Sequence, residues 1–196
     1  MRFTAFMKAI RFNCLQAANV SRDLGYMFED APVSDPIANS SETQNMLANA
    51  GARLPDALLA FYEIVGAVEF TGVAPKDWKG CDYSDPVSVV PLDHDYWRSA
   101  LDFWREYPEI DPDGLHRFTP QMSGDHIHKA GFSGGEYSFV FDSEPDPIVW
   151  MHECRLRFMD YLRLCDAWGG FPGLQGCPTH TWPLERIRSA FVKLPD

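Results

Sequence analysis

Four side chains of types that bind zinc occur in two closely spaced pairs. His126 and His128 are separated by one residue, as are His152 and Cys154. In a β-strand, residues two apart point to the same face, so each pair would present both of its ligands together. If the strands were neighbours, the four ligands could hold zinc for a metal-assisted enzyme. Because this spacing is also common by chance, surface or core residues are the favoured interpretation, and the enzyme is the alternative.

Two further stretches combine residue types that occur in catalytic sites. Ser133-Gly134-Gly135-Glu136 lacks the Gly-x-Ser-x-Gly spacing of a nucleophile elbow and the Gly-Lys-Ser/Thr ending of a phosphate loop. Strand-like sequence flanks it, so the glycine pair predicts a hairpin corner. Asp93-His94-Asp95 places a histidine between carboxylates, as general acid–base catalysis could use. Its position at the start of a predicted helix favours a cap at Asp93 and a helix-dipole contact at Asp95.

Acidic residues are concentrated in the middle of the chain. The 196 residues include 17 lysines and arginines and 28 aspartates and glutamates, for a net charge of −11. Residues 81–160 hold 16 of these acids and 6 of the bases, and so carry −10 of that charge. Such a field repels nucleic-acid phosphates and attracts basic proteins. A solvated face that aids solubility is one reading, and a docking surface for a basic protein is the other.

The docking interpretation predicts a partner-binding surface within this acidic segment. Its carboxylates would steer a basic protein toward the chain, and two tryptophans would anchor the complex. Neither a nucleic acid nor a membrane is expected as a partner. The predicted partner-binding residues are Asp82, Asp85, Asp93, Asp95, Trp97, Asp102, Trp104, Glu106, Glu109, Asp111 and Asp113.

The cysteines and the apolar segments bear on the compartment. Five cysteines are scattered along the chain without a Cys-x-x-Cys pair, which fits thiols that mostly fill core positions in a reducing compartment. The N-terminal residues lack the apolar run of a signal peptide. No stretch reaches the ~20 apolar residues of a membrane span. The sequence therefore predicts a cytoplasmic protein.

Hydrophobic periodicity predicts an α+β fold in one domain. The aromatic residues Tyr137, Phe139 and Phe141 alternate with other side chains, which is the period of a half-buried strand. The order of helices, strands and helices then indicates a single antiparallel sheet, a meander, packed by flanking helices. Strands are predicted at 86–92, 126–132, 137–142 and 148–152, and helices at 4–19, 41–50, 55–65, 93–104, 155–168 and 181–191.

Two groups of residues together resemble the SMI1/KNR4 family, also called the SUKH superfamily. That family has a Leu-Pro that opens a helix, then aromatic residues, then a glycine before a strand. Later it has a glycine corner with an acid, an aromatic strand, a strand ending near tryptophan, and a helix with a Phe-x-x-Tyr/Phe-Leu core. The matching residues are Leu54, Pro55, Phe61, Tyr62 and Gly66, followed by Gly134, Gly135, Glu136, Tyr137, Asp142, Val149, Trp150, Phe158, Tyr161 and Leu162.

The resemblance implies an organisation and a function. It divides the single domain 1–196 into an N-terminal helix and arm (1–41), an SMI1/KNR4-like core (42–170) and a C-terminal helical extension (171–196). The family implies an α+β fold without catalytic residues, so we expect neither enzymatic activity nor a cofactor or metal. Many bacterial members resemble immunity proteins that block toxins, often basic nucleases, and other members resemble regulatory scaffolds. An immunity protein that blocks a basic toxin through its acidic surface is the expected function.

Overall fold

The computed structural model describes residues 3–37, 39–80, 84–106, 115, 117–123, 137–151 and 154–195. Helices and short strands alternate along these residues, which gives a mixed α and β architecture as the sequence predicts. The predicted strand at 126–132 and the predicted corner at 133–136 lie outside the described residues. The elements are α1 (Thr4–Asp23), β1 (Met27–Phe28), α2 (Ser41–Asn49), α3 (Asp56–Ile64), β2 (Val68–Glu69), β3 (Gly72–Val73), β4 (Ser88–Val89), α4 (His94–Glu106), β5 (Ser138–Val140), β6 (Ile148–Met151), β7 (Cys154–Arg157), α5 (Phe158–Ala167) and α6 (Leu184–Ile187), with 3-10 turns at Pro172–Gly176 and Arg188–Ala190.

The strands form three small antiparallel sheets, where the sequence predicts one meander. β1 pairs with β3, and β2 pairs with β4. The third sheet has the order β5-β6-β7, and its register places Ser138, Trp150 and Arg155 side by side. The Phe139 amide also donates to the Pro120 carbonyl at 2.8 Å, so the segment before residue 123 runs beside β5. Strands β1 to β4 have only two residues each, so their two pairs stay separate from the third sheet.

The helix after strand β7 begins later than the sequence predicts. The sequence pattern suggests a helix from about residue 155, whereas α5 begins at Phe158. Arg157 instead pairs with Ile148 in the ladder, and its guanidinium donates to the Asp142 carboxylate at 2.8 Å. β6 precedes β7 closely in the sequence, so this pairing is local, whereas Asp142 lies 15 residues before Arg157. The ladder and the ion pair therefore outweigh the local helical pattern.

Gly66 forms a tight junction between α3 and β2. Its φ of +94° lies in the left-handed region, and a Cβ there would come within 2.7 Å of the Ser34 carbonyl oxygen. The Ser34 hydroxyl accepts a hydrogen bond from the Ala67 amide at 2.6 Å, which draws the arm against this turn. Only glycine fits this conformation and this space without strain. The predicted helix end at Gly66 is confirmed.

The core joins α3, α5 and the third sheet through aromatic rings. Phe158 contacts Phe61 edge-on at 5.3 Å between ring centroids and contacts Phe139 at 5.4 Å. These three rings are completely buried, as are Tyr62 and Tyr161. Burial of this many aromatic side chains supplies much of the hydrophobic driving force for folding. The core thereby supports the surface elements described below.

The C-terminal segment is held against α1 by one buried side chain. Asn13 donates to the Asp166 carboxylate at 2.7 Å and to the Val192 carbonyl at 2.9 Å, and it accepts from the Val192 amide at 2.8 Å. The predicted helix at 181–191 is mostly replaced by the short helix α6 and a 3-10 turn. Hydrogen bonds to Asn13 therefore secure a segment that has little helix of its own.

The cysteines differ in part from the expectation of free thiols. Cys14, Cys154 and Cys165 are free, but Cys177 takes part in a disulfide bond. Burial raises the pKa of the Cys14 thiol to about 12. Among the residues that the structure describes, no helix has the length and apolar character that a membrane span requires.

Candidate protein-binding surface on helix α4

Helix α4 and its cap Asp93 carry all of the described residues that were predicted to bind a partner except Asp85. The Asp93 carboxylate accepts a hydrogen bond from the Tyr96 amide at 2.9 Å, so the predicted cap is confirmed. Trp97 and Leu101, one turn apart, are buried against the core. The helix therefore has one face committed to packing and an opposite face in solvent.

Three carboxylates form an acidic stripe on the solvent face of α4. Asp95, Asp102 and Glu106 are all exposed. Their spacing of seven and four residues places them within about 40° of one another around the helix axis. Asp102 lies 3.8 Å from Arg105, and both side chains are more than half exposed, so solvent screens this pair. The acidic stripe is thus defined by Asp95, Asp102 and Glu106.

Two predicted partner-binding residues are buried, and these predictions are wrong. Trp97 has no exposed surface and stacks on Phe141 with 6.0 Å between ring centroids. Asp85 is 7% exposed and accepts a hydrogen bond from the Tyr137 hydroxyl at 2.5 Å. A tryptophan without exposed surface and a carboxylate that is buried and hydrogen-bonded cannot contact a partner directly. Both residues belong to the packed interior.

The hydroxyls of two tyrosines, Tyr62 and Tyr137, lie in a dry environment. Burial raises the pKa of the Tyr62 hydroxyl well above its usual value, and ionisation of the neighbouring Tyr96 would raise it further. Burial likewise raises the pKa of Tyr137, and Asp85 adds to the effect through its charge and its hydrogen bond. Both hydroxyls therefore stay protonated, and Tyr137 keeps its role as the donor to Asp85.

Five predicted partner-binding residues remain. The structure describes one of them, a tryptophan, and the other four lie outside the described residues. Trp104 is half-buried, and its indole N–H donates to the Arg117 carbonyl at 3.0 Å. This bond ties the end of α4 to the segment that runs beside β5. The predicted residues outside the described part of the chain are Asp82, Glu109, Asp111 and Asp113.

A groove that the sequence did not predict lies between α4 and the third sheet. It has a volume of about 430 Å³. The Tyr96 hydroxyl donates to the Gln121 carbonyl at 2.7 Å, and this bond holds α4 to the segment that runs beside β5. Phe103 is 55% exposed on the helix side, and Trp150 is half-buried on the sheet side. We call this the α4 groove; its lining is Tyr96, Ser99, Ala100, Phe103, Trp104, Thr119, Pro120, Gln121, Ser138 and Trp150.

Two aromatic residues, Phe103 and Trp150, are the part of the α4 groove that the sequence could have indicated. Phe103 departs from the apolar stripe that Trp97 and Leu101 define, and Trp150 occupies a strand position between the buried residues Val149 and Met151. Large apolar residues that point away from a core often mark interaction sites. The sequence alone does not show that the two side chains meet.

Of the four residues considered as zinc ligands, the structure describes one. His126, His128 and His152 lie outside the described residues, whereas Cys154 is exposed on β7. Within the described ranges, no group of three or more histidine, cysteine, aspartate or glutamate side chains has an arrangement that could hold a metal ion.

Comparison of the chain with protein-family models, with curated proteins and with solved structures gave no significant match.

Proposed function

We propose that this chain is a non-catalytic protein-binding domain, an immunity protein of the SMI1/KNR4 type that blocks a basic toxin such as a nuclease. The observation that carries the proposal is the acidic stripe, which places three carboxylates on one exposed face of α4. The net charge of −11 supports it, because the whole molecule attracts a basic partner. Carboxylates on this face would occupy positions that substrate phosphates take on the toxin.

The spacing of the stripe suits an extended cationic surface. A rise of 1.5 Å per residue separates Asp95 from Asp102 by about 10 Å along the helix, and Asp102 from Glu106 by about 6 Å. Each exposed ion pair formed there would add at most about 1 kcal/mol. The stripe therefore acts mainly on the rate of association and on the choice of partner.

The resemblance also implies that the small sheets act together as one layer. Hydrogen bonds support this inference, since the Val90 amide donates to the Met122 carbonyl at 2.7 Å, next to β4. The same segment then pairs with β5, where Gln121 forms a bridge to Ser138. A layer of this kind would hold α4 rigidly against the core and present the stripe in a fixed orientation.

Capture of a partner by matched baits tests the proposed function. The stripe variant combines Asp95→Asn, Asp102→Asn and Glu106→Gln. The control variant combines Asp30→Asn, Asp77→Asn and Glu185→Gln, which removes the same charge from exposed positions elsewhere. We expect the wild-type and control baits to retain the same basic protein from a lysate of the source cells at low salt, and the stripe variant to lose it. Equal retention by all three baits would refute the role of α4, and capture of no basic protein would refute the function.

A further inference from the structure

We propose that Met27 is a site of reversible oxidation, at which a hydroperoxide converts the thioether to a sulfoxide while the chain stays folded. Met27 lies on β1 and is not part of the acidic stripe of α4, so this inference does not depend on the proposed function. Three features of the molecule support it: the exposure of the Met27 side chain, the contacts that hold β1, and the burial of other methionines.

The strand β1 turns the Met27 side chain toward solvent. Successive residues of a strand point to opposite faces, and here Tyr26 is buried whereas Met27 is 64% exposed. Val73, which pairs with Met27 across the β1–β3 ladder, is exposed as well. A small oxidant dissolved in water can therefore reach the Met27 thioether without any opening of the fold.

The neighbours of Met27 hold β1 through contacts on the opposite face. The Tyr26 hydroxyl donates to the Phe70 carbonyl at 2.9 Å. The Tyr26 ring also contacts Phe28 at 4.8 Å and Phe171 at 5.2 Å between ring centroids. Oxidation makes the Met27 side chain polar, and an exposed polar side chain remains in water. These contacts would stay intact, so we expect the oxidised protein to remain folded.

The other methionines that the structure describes are better protected, because they pack in the core or against it. They are the buried Met7, Met122 and Met151 and the half-buried Met46 and Met159. Oxidation requires contact between the sulfur and the oxidant, so a buried thioether reacts only when the surrounding structure opens. Met27 should therefore react first among the described methionines.

The reaction balances with a hydroperoxide as the oxidant and thiols as the reductant. The Met27 sulfur attacks the terminal peroxide oxygen, an S–O bond forms as the O–O bond breaks, and the proton of that oxygen moves to the departing one. The thioether loses two electrons, and the peroxide leaves as an alcohol or as water. A methionine sulfoxide reductase reverses the change: two thiols supply two electrons and two protons, become a disulfide, and the oxygen leaves as water.

Peptide mapping by mass spectrometry tests the site on the intact, folded chain after brief treatment with hydrogen peroxide. We expect the sulfoxide at Met27 to form at least fivefold faster than at any other methionine that the structure describes, with the peptide of Met1 scored separately. Met27→Leu should abolish this fast oxidation, whereas the matched variant Met46→Leu should retain it. The oxidised wild type should keep the melting temperature of the untreated protein. Methionine sulfoxide reductase with dithiothreitol should then restore the original mass.

Three results would overturn the inference. The first is oxidation of another described methionine as fast as that of Met27. The second is a fall in melting temperature that accompanies the sulfoxide at Met27, and the third is a sulfoxide that the reductase cannot remove. Because no partner enters these measurements, their failure leaves the capture experiment intact, and failure of the capture experiment does not alter them.

Discussion

At the residue scale, burial shows which of the predicted partner-binding side chains belong to the core instead. Residue type suggested Asp85 and Trp97 for the binding surface, and both are in the core. Aspartate is rarely buried unless it is paired, and here Tyr137 supplies the pairing hydrogen bond. That bond joins residues 52 positions apart, so neither residue's surroundings could be predicted from local sequence.

Tyr137→Phe tests the importance of this buried hydrogen bond. Removal of the hydroxyl leaves the Asp85 carboxylate with one donor fewer, which should lower the free energy of unfolding by about 1–3 kcal/mol. Tyr62→Phe is the matched control, because the buried Tyr62 hydroxyl has no hydrogen-bond partner among the described residues. Urea unfolding should show a loss for the first variant only. Equal effects would contradict the account of the Asp85 environment.

Asp166 predicts a pH dependence of stability. Burial raises the pKa of this carboxyl above the 3.8 of an unperturbed aspartate, although the Asn13 hydrogen bond and Arg188 lower it in part. The folded state therefore binds the proton more tightly than the unfolded state, and this group's contribution to stability grows as the pH falls through the folded-state pKa. At pH 8 the ionised, partly buried carboxylate reduces stability.

Asp166→Asn should remove that penalty and keep an oxygen acceptor for Asn13. We expect its melting temperature to exceed that of the wild type by a few degrees at pH 8, and the difference to shrink toward pH 4. Asp160→Asn, at an exposed position on the same helix, should follow the wild-type profile. A gain for Asp166→Asn that stayed constant with pH would contradict the titration argument.

At the element scale, amphipathic helices could be predicted and strand pairing could not. The long helix α1, the end of α3 at Gly66 and the cap of α4 at Asp93 follow from local periodicity and local hydrogen bonds. β7 did not follow, because residues 155–157 also fit the helical pattern that continues into α5, and only the observed ladder with the preceding strand β6 decides between the two. The α4 groove escaped prediction because its two sides come from α4 and from the third sheet.

Asn13 is the element-scale contact that secures the C-terminal segment. Asn13→Ala removes three hydrogen bonds and leaves buried polar groups unpaired, so we expect a loss of roughly 2–4 kcal/mol in unfolding free energy. Hydrogen exchange at the Val192 amide should accelerate more than exchange in α3. Asn19→Ala, at an exposed position on the same helix, is the control. Unchanged protection at Val192 would refute the proposed attachment.

At the scale of the whole molecule, charge is arranged unevenly. Residues 81–160 carry −10 of the net −11, and the acidic stripe of α4 lies in that segment. Near the C-terminus, Arg163, Arg188 and Lys193 line a separate basic depression. Under the proposed function, a basic partner would approach with the α4 side foremost, which would orient the complex before contact. Composition located the excess of acidic residues, and the structure shows that three of them share one exposed face of α4.

The most direct test of the central claim is the association rate of the captured partner as a function of salt concentration. Stopped-flow measurements would compare the wild type with the stripe variant from about 20 to 500 mM salt, where screening shortens the Debye length from roughly 20 Å to about 4 Å. We predict that the wild-type rate falls at least tenfold over this range, that the variant rate falls much less, and that the two converge at high salt. Equal salt dependence for the two proteins would contradict recognition through the acidic stripe of α4.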